Sequence, residues 1–224
     1  MKHIHKLLSL NQIIAPDTLI SLPVAKDHGY YPGILYPYLQ DKQERQWEYG
    51  AKYNVRQGIR WIPKLTAADI VDELPVFPDT VTVDRAAHTL RCAGLILAET
   101  TGRFLELDHV TGRKRDIKTW WHVSREYVAL KNVPLEYWDK SKRQVFSALE
   151  AAAYGISSAL ILAHFRCSDP VVQEEDGVYK RLSATELDKV LPMDERTARR
   201  HLKELLEKQI LVAHPVKAKL YRLK

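Results

Sequence analysis

Apolar residues recur at helical spacing in two parts of the chain, and each part begins with a helix-capping pattern. The first reads LTAADIVDEL over residues 65–74, where Thr66 and Asp69 form a capping box. The second reads LSATELDKVL over residues 182–191 and matches the first almost position for position. A supersecondary unit that is used twice produces this kind of internal similarity, so the sequence predicts two related modules.

The residues after each capped segment predict the rest of each module. A longer helix is expected over 80–93, ended by Gly94, and a second one from 194 to about 208. Alternating apolar residues and turn signals predict short strands around these helices. The strands are expected over 57–63, 95–100, 103–108 and 117–123 in the first module and over 210–213 and 219–223 in the second. Each module is therefore expected to be mainly α-helical with a small β-hairpin (α+β).

The remaining segments set the predicted domain boundaries. Residues 1–30 are expected to be irregular or to hold a short strand, and the prolines of YYPGILYPY argue against a regular helix before Pro37. A long apolar helix is expected over 141–165. We therefore assign 1–125 to an N-terminal module with an irregular lead-in, 126–140 to a connector, and 141–224 to a C-terminal module.

The apolar stretch 145–165 requires a membrane test, because it carries one formal charge, Glu150. A spanning helix needs about 20 predominantly apolar residues, and a central carboxylate raises its insertion cost. This stretch is rich in Ala and Ser, so a buried helix of the C-terminal module is the better interpretation. The N-terminus has no long apolar stretch, and no secretory signal is expected.

Composition and charge narrow the class of partner. Hydrophobic residues make up 46% of the chain and charged residues 28%, which is typical of a globular protein. The formal net charge is +6, with a pI of about 9.2, and this excess favours a polyanionic partner. Cys92 and Cys167 lie far apart and match no metal-ligand spacing, so a reducing, cytoplasmic compartment is expected.

The helix predicted from residue 194 has one apolar face and one basic face. Its apolar positions are Ala198, Leu202, Leu205 and Leu206. Its basic positions follow i, i+3, i+4, i+7 spacing, with Thr197 beside them, and are Arg196, Arg199, Arg200 and Lys203. Such a stripe can bind phosphates, and an arginine can also read guanine. The alternative is a solvated face with Arg200–Glu204 and Lys203–Glu207 ion pairs.

The C-terminal residues extend this basic character. From residue 209 onward the chain has no acidic residue, and its cations are Lys217, Lys219, Arg222 and Lys224. We expect Lys217 and Lys219 in the hairpin to contact phosphate, the alternative being an ordinary solubilising tail.

The first module has a weaker helix face and a more basic hairpin. The outward positions of its longer helix are Val81, Asp84, Arg85 and His88, where one cation stands beside an acid. Its candidate phosphate contacts are Arg85 on the helix and Arg113, Lys114, Arg115 and Lys118 in the hairpin. Trp120 and Trp121 follow, and packing in a strand explains them better than base stacking. This module is expected to contribute backbone contacts or a protein interface.

The order helix, capped helix, turn, helix and hairpin resembles the winged helix-turn-helix fold, over roughly 38–123 and again over 141–224. That resemblance implies two such domains in tandem, the second helix of each motif entering the major groove of double-stranded DNA. Chains of this length and architecture resemble plasmid and phage replication initiators, in which the C-terminal module is the main reader. Mobile-element accessory proteins and repressors share the architecture.

The resemblance implies a nucleoid-associated, sequence-specific regulator or initiator, acting as a homodimer or within a larger nucleoprotein assembly. The alternative is a scaffold subunit that binds nucleic-acid backbone or RNA without sequence readout. Enzymatic activity is not expected. His3-Ile4-His5 has the form used by nicking replication enzymes but has no preceding strands, and the chain contains no Gly-rich phosphate loop or GxSxG elbow. No cofactor, metal site or catalytic residue is predicted.

Overall fold

The computed structural model describes residues 17–52, 62–100, 119–122, 133–175 and 177–224, and it is a mixed α+β structure. Helices α1–α8 are, in order, Leu22–His28, Tyr30–Lys52, Ala67–Glu73, Thr80–Cys92, Ala148–Tyr154, Ile156–Cys167, Ala184–Val190 and Glu195–Glu207. Strands β1–β9 are Asp17–Ser21, Ile62–Leu65, Leu97–Thr100, Thr119–His122, Arg143–Ser147, Pro170–Glu174, Gly177–Arg181, Leu211–Ala213 and Leu220–Leu223. Leu135–Tyr137 and Lys140–Lys142 form 3-10 helices.

The chain divides into two units, one of which is inserted into the other. The outer unit combines the described part of Met1–Leu22 with Arg143–Lys224, and the inserted unit is Pro23–Lys142. The start of the second part of the outer unit lies close to the expected boundary at 141. The lead-in departs from its expected place in the N-terminal module, because β1 pairs antiparallel with β5, from Asp17↔Ser147 to Ser21↔Arg143. Backbone hydrogen bonding thus joins it to the C-terminal residues.

Between α1 and the 3-10 helices, the inserted unit has the element order helix, strand, helix, helix, strand, strand. These elements are α2, β2, α3, α4, β3 and β4, and the sheet order is β2-β4-β3 with antiparallel pairing. Helix α4 packs against both α2 and α3. The buried side chains that join the helices include Ile34, Leu39, Ile70, Val83 and Leu90.

The same order recurs in the outer unit with α6, β7, α7, α8, β8 and β9. Its sheet order is β6-β7-β9-β8, so the first strand of the motif again lies beside the last one, and β6 is an added edge strand. Helix α8 packs against α6 and α7. Fully buried Leu160, Ile161 and Leu162 of α6 face a core that also contains Leu187 and Ala198. The repeat seen in the sequence is thus a repeat of topology.

Helix α2 contradicts the expectation that prolines prevent a helix before Pro37, since it runs through Tyr30–Lys52. Pro32 lies in the first turn, where backbone N–H groups have no partner within the helix. Pro37 is interior and removes one hydrogen bond. Burial of Ile34, Leu35 and Leu39 on this helix offsets that loss, because each fully buried side chain contributes about 1.5–3 kcal/mol.

The single long helix expected over 141–165 is also wrong. Residues 143–147 form β5, α5 ends before Gly155, and α6 follows. The Ser147 hydroxyl accepts a hydrogen bond from Glu150 N at 3.3 Å and so starts α5. Gly155 has φ +85°, which lies outside the helical region and is open to glycine without strain.

Candidate nucleic-acid interface

Helices α8 and α4 begin with the same side-chain cap. Asp194 Oδ1 accepts from Thr197 N at 2.6 Å, and Asp79 Oδ1 accepts from Thr82 N at 2.7 Å. The Thr197 backbone N–H is the main reason why the pKa of Asp194 lies below its ordinary value, whereas the Thr82 hydroxyl is the main reason for Asp79. Both helices are 13 residues long. The caps therefore align α8 with α4, so that each position of one helix has an equivalent position on the other.

The two helices also end in the same turn. Ile210 N donates to Leu205 O at 2.9 Å after Gln209, and Leu95 N donates to Leu90 O at 2.9 Å after Gly94. Gly94 has φ +68° and confirms the predicted helix stop. At the matching position Gln209 has φ +55°, a conformation that costs a non-glycine residue about 1–2 kcal/mol.

The structure places the basic stripe of α8 on a face that is open to solvent. The opposite face is fixed, because Ala198, Leu202 and Leu205 are buried. Leu206, which was expected inside, is only partly buried, and so is Thr197. The exposed basic residues are Arg196, Arg199, Arg200 and Lys203, as predicted.

Three cations of this stripe form ion pairs with acids one helical turn away. The Arg199 guanidinium binds the Glu195 carboxylate, Arg200 Nε lies 3.9 Å from Glu204 Oε1, and Lys203 Nζ lies 3.7 Å from Glu207 Oε1. The Glu195–Arg199 pair was not predicted, although its i, i+4 spacing is visible in the sequence. The side chains of Arg199, Arg200 and Lys203 remain 73%, 66% and 77% exposed. Exposed pairs contribute about 0–1 kcal/mol, so a phosphate can replace the acid.

Arg196 completes the stripe at its N-terminal end. Within the part of the chain that the structure describes, no ion pair involves Arg196. Its charge acts on the adjacent Asp194 carboxylate and contributes to the low pKa of that group. Arg196 therefore presents its charge to solvent at the end of the helix.

His201 connects this stripe to the core and was missed by the sequence reasoning. Its Nδ1 lies 3.1 Å from Ser158 Oγ on α6, and its Nε2 lies 3.2 Å from Arg200 Nη2. Burial lowers the pKa of His201, and the Glu204 carboxylate partly opposes this effect. A guanidinium only donates hydrogen bonds, so Nε2 accepts and the proton of the neutral ring lies on Nδ1. His201 thus fixes Arg200 at the edge of the stripe.

The turn between β8 and β9 brings two further predicted cations to the surface. Lys217 and Lys219 are exposed, and Lys217 Nζ lies 3.8 Å from Glu174 Oε1. Lys219 has φ +61°, and its carbonyl accepts from Leu182 N at 3.0 Å. Lys224, also counted among the tail cations, donates to Gln209 Oε1 at 2.9 Å.

The corresponding face of α4 has little positive charge. Val81, Asp84, Arg85 and His88 are exposed, as predicted, and His88 Nε2 lies 3.5 Å from Cys92 Sγ. The four basic residues expected in the hairpin of this unit lie outside the described residues: Arg113, Lys114, Arg115 and Lys118. The strand expected over 103–108 lies there too. Trp120 and Trp121 belong to β4.

Neither a metal cluster nor a membrane-spanning helix is found in the described residues. Within the described ranges, no group of three or more His, Cys, Asp or Glu side chains is placed to hold a metal ion. No helix in those ranges combines the length and apolar character that crossing a membrane requires. Comparison with known proteins gives no match to a family model, to a curated protein or to a solved structure.

Proposed function

We propose that this chain is a sequence-specific double-stranded DNA-binding protein, a transcriptional regulator or replication initiator of a mobile element. In this proposal both units are winged helix-turn-helix domains. Helix α8 enters the major groove, and the β8–β9 hairpin is the wing that contacts the backbone. One observation carries the proposal: four cations line the exposed face of a helix whose other face is buried.

The geometry of α8 supports base reading as well as phosphate binding. Arg196 and Thr197 lie in its first turn, and Arg199 and Arg200 lie in its second. Side chains near the N-terminus of a recognition helix are those that reach base edges in this class of motif. Each arginine there can form two parallel hydrogen bonds with guanine. Helix α4 presents an acid at one of the matching positions, so we assign DNA reading to the outer unit.

A second candidate function is a scaffold subunit that holds nucleic-acid backbone or RNA without sequence readout. The ion pairs of α8 favour it, because Glu195, Glu204 and Glu207 offset part of the charge of the stripe. A partly neutralised helix face binds backbone weakly and gains its affinity from a larger assembly. The two candidates differ in whether the isolated chain prefers one sequence.

The experiment is a salt titration of binding to two labelled duplexes. One duplex is enriched from a random-sequence library by the full-length protein, and the other is a scrambled version of it. We expect the enriched duplex to bind at least tenfold more tightly. The log of the association constant should fall by about 0.9 per phosphate neutralised for each unit of log salt.

Two variants and a control locate the reading residues. Arg199→Ala and Arg200→Ala should each cost about 1–3 kcal/mol on the enriched duplex and much less on the scrambled one. Arg91→Ala is the control, because exposed Arg91 takes the place on α4 that Leu206 takes on α8, off the stripe. Unchanged binding in both arginine variants would remove α8 as the reader. Equal, weak binding of both duplexes by the wild type would instead support the scaffold.

A further inference from the structure

His214 follows β8 and is the buried centre of the turn that carries Lys217 and Lys219. Its side chain is only 4% exposed. The ring lies against Tyr179 of β7, with 4.7 Å between the ring centroids and 60° between the planes. Backbone hydrogen bonds flank the turn, from His214 N to Leu220 O at 2.9 Å and from Leu182 N to Lys219 O at 3.0 Å. The imidazole thus occupies a defined position inside the turn.

The partners of the two ring nitrogens select one form of the side chain. Nδ1 lies 3.0 Å from both Val216 N and Lys217 N, and Nε2 lies 2.9 Å from Glu174 Oε1. The two backbone N–H groups can only donate, so Nδ1 must accept and carries no proton. Nε2 then carries the proton and donates it to the Glu174 carboxylate. The hydrogen bonds therefore require the neutral Nε2–H tautomer.

We infer that His214 is a positioning residue for the wing, holding Lys217 and Lys219 where they meet the phosphate backbone. This role rests on the proposed function. His214 itself is too buried to touch DNA, but its Nδ1 fixes the backbone of Val216 and Lys217 directly. Glu174, the last residue of β6, holds the other side of the ring and lies 3.8 Å from Lys217 Nζ. The added strand β6 thereby supports the wing.

The backbone conformation of Lys219 is strained, which agrees with a turn that is fixed in order to present its lysine side chains. Its φ of +61° is the conformation that glycine adopts without strain. A lysine there costs stability, and such outliers persist where surrounding bonds determine the backbone. Here the carbonyl of Lys219 is bonded to Leu182 N, while the side chain projects into solvent. The turn keeps a cation at a position where glycine would be more stable.

Three variants of His214 separate the hydrogen bonds of Nδ1 to the turn from the hydrogen bond of Nε2 to Glu174. In His214→Asn the amide oxygen takes the place of Nδ1 and still accepts from the turn, as in an Asx-turn. In His214→Gln the amide nitrogen takes the place of Nε2, so the link to Glu174 remains and the turn bonds are lost. His214→Leu removes both. Lys217 and Lys219 are unchanged in all three variants.

The readout is the salt dependence of binding to the enriched duplex. His214→Leu and His214→Gln should each lose the phosphate contacts of Lys217 and Lys219. The slope of the log of the association constant against log salt should then decrease in magnitude by about 1.8. His214→Asn should keep the wild-type slope, which a purely structural role for the buried ring would not produce. Thermal unfolding identifies variants that remain folded, and only those are compared. A folded His214→Leu variant with the wild-type slope would overturn the inference.

A measurement without DNA tests the arrangement separately. Imidazole ¹⁵N chemical shifts of the full-length protein should show an unprotonated Nδ1 and a protonated Nε2 at His214. The amide protons of Val216 and Lys217 should exchange more slowly than those of exposed Lys219. The opposite tautomer would overturn the inference whatever the binding result. Absence of DNA binding by the wild type would overturn the proposed function and the positioning role, although the tautomer would still be observed.

Discussion

The acids on α8 provide a test that distinguishes a phosphate-binding stripe from a helix stabilised by its own ion pairs. Glu207 pairs with Lys203 across 3.7 Å, and their side chains are 63% and 77% exposed. At that distance two unit charges in water interact with about 1 kcal/mol. The entropy lost in holding two long side chains reduces the net contribution to about 0.3–0.5 kcal/mol. The change Glu207→Gln removes this pair and leaves the cation in place.

The proposed function predicts that Glu207→Gln strengthens DNA binding. A phosphate that reaches Lys203 no longer competes with a carboxylate, and an anion is removed from the DNA-facing helix. We expect a gain of about 0.5–1 kcal/mol, which is roughly two- to fivefold in the dissociation constant. The salt slope should stay the same because no cation is lost. Unfolding in urea should change by less than about 0.5 kcal/mol, since the lost acid lies in the last turn, where the helix dipole disfavours it.

Fluorescence anisotropy with the enriched duplex, at several salt concentrations, measures this change. The matched control is Asp169→Asn, which alters net charge equally at an exposed position outside α8 and the wing. Weaker or unchanged DNA binding by Glu207→Gln, together with a stability loss above 1 kcal/mol, would refute the reasoning. The glutamates would then stabilise the helix through their ion pairs, and the basic stripe would be an ordinary solvated face.

Three further predictions concern the same units. Lys219→Gly should raise the free energy of unfolding in urea by about 0.5 kcal/mol and weaken DNA binding, because strain and charge are removed together; parallel losses in both assays would contradict this. Leu205→Ala and Leu90→Ala, at matching buried positions of α8 and α4, should each cost about 2–5 kcal/mol in urea unfolding, and a cost below 1 kcal/mol would contradict their burial. Burial lowers the pKa of His164 and His201. As pH falls, the unfolded chain therefore binds protons before the folded chain does, and the free energy of unfolding should decrease below about pH 6.5. Urea midpoints that do not change between pH 7.5 and 5 would contradict this.

The sequence predicted the elements whose signals are local. Thr66 with Asp69, and Ser183 with Glu186, start the two short helices as expected, since each cap involves residues three apart. The Arg200–Glu204 and Lys203–Glu207 pairs, which belonged to the alternative interpretation of α8 as a solvated face, are also present, because i, i+4 spacing on a helix brings their side chains together. The mixed α+β class follows from the same local patterns.

Three of the failures involve partners that are distant in the sequence. Helix α2 tolerates Pro37 because of burial against other elements, which no local propensity expresses. Strand β5 was read as helix because its partner β1 precedes the whole inserted unit in the sequence. The contact of His214 with Glu174 joins a turn to the end of an added strand, and neither residue belongs to a recognisable motif. Packing and strand pairing determine these features, and periodicity carries no signal for them.

The pairing of β1 with β5 has a consequence for synthesis and truncation of the chain. Strand β1 leaves the ribosome before the inserted unit, but its partner β5 appears only after that whole unit has been made. The outer unit therefore completes its fold only after the inserted unit has been made, and deleting β1 should destabilise the unit that carries α8. Ser21 and Arg143 are paired neighbours at the junction, so a two-residue turn between them should close the outer unit without residues 23–142. A minimal version of the outer unit would therefore include β1 and would not be a C-terminal fragment alone.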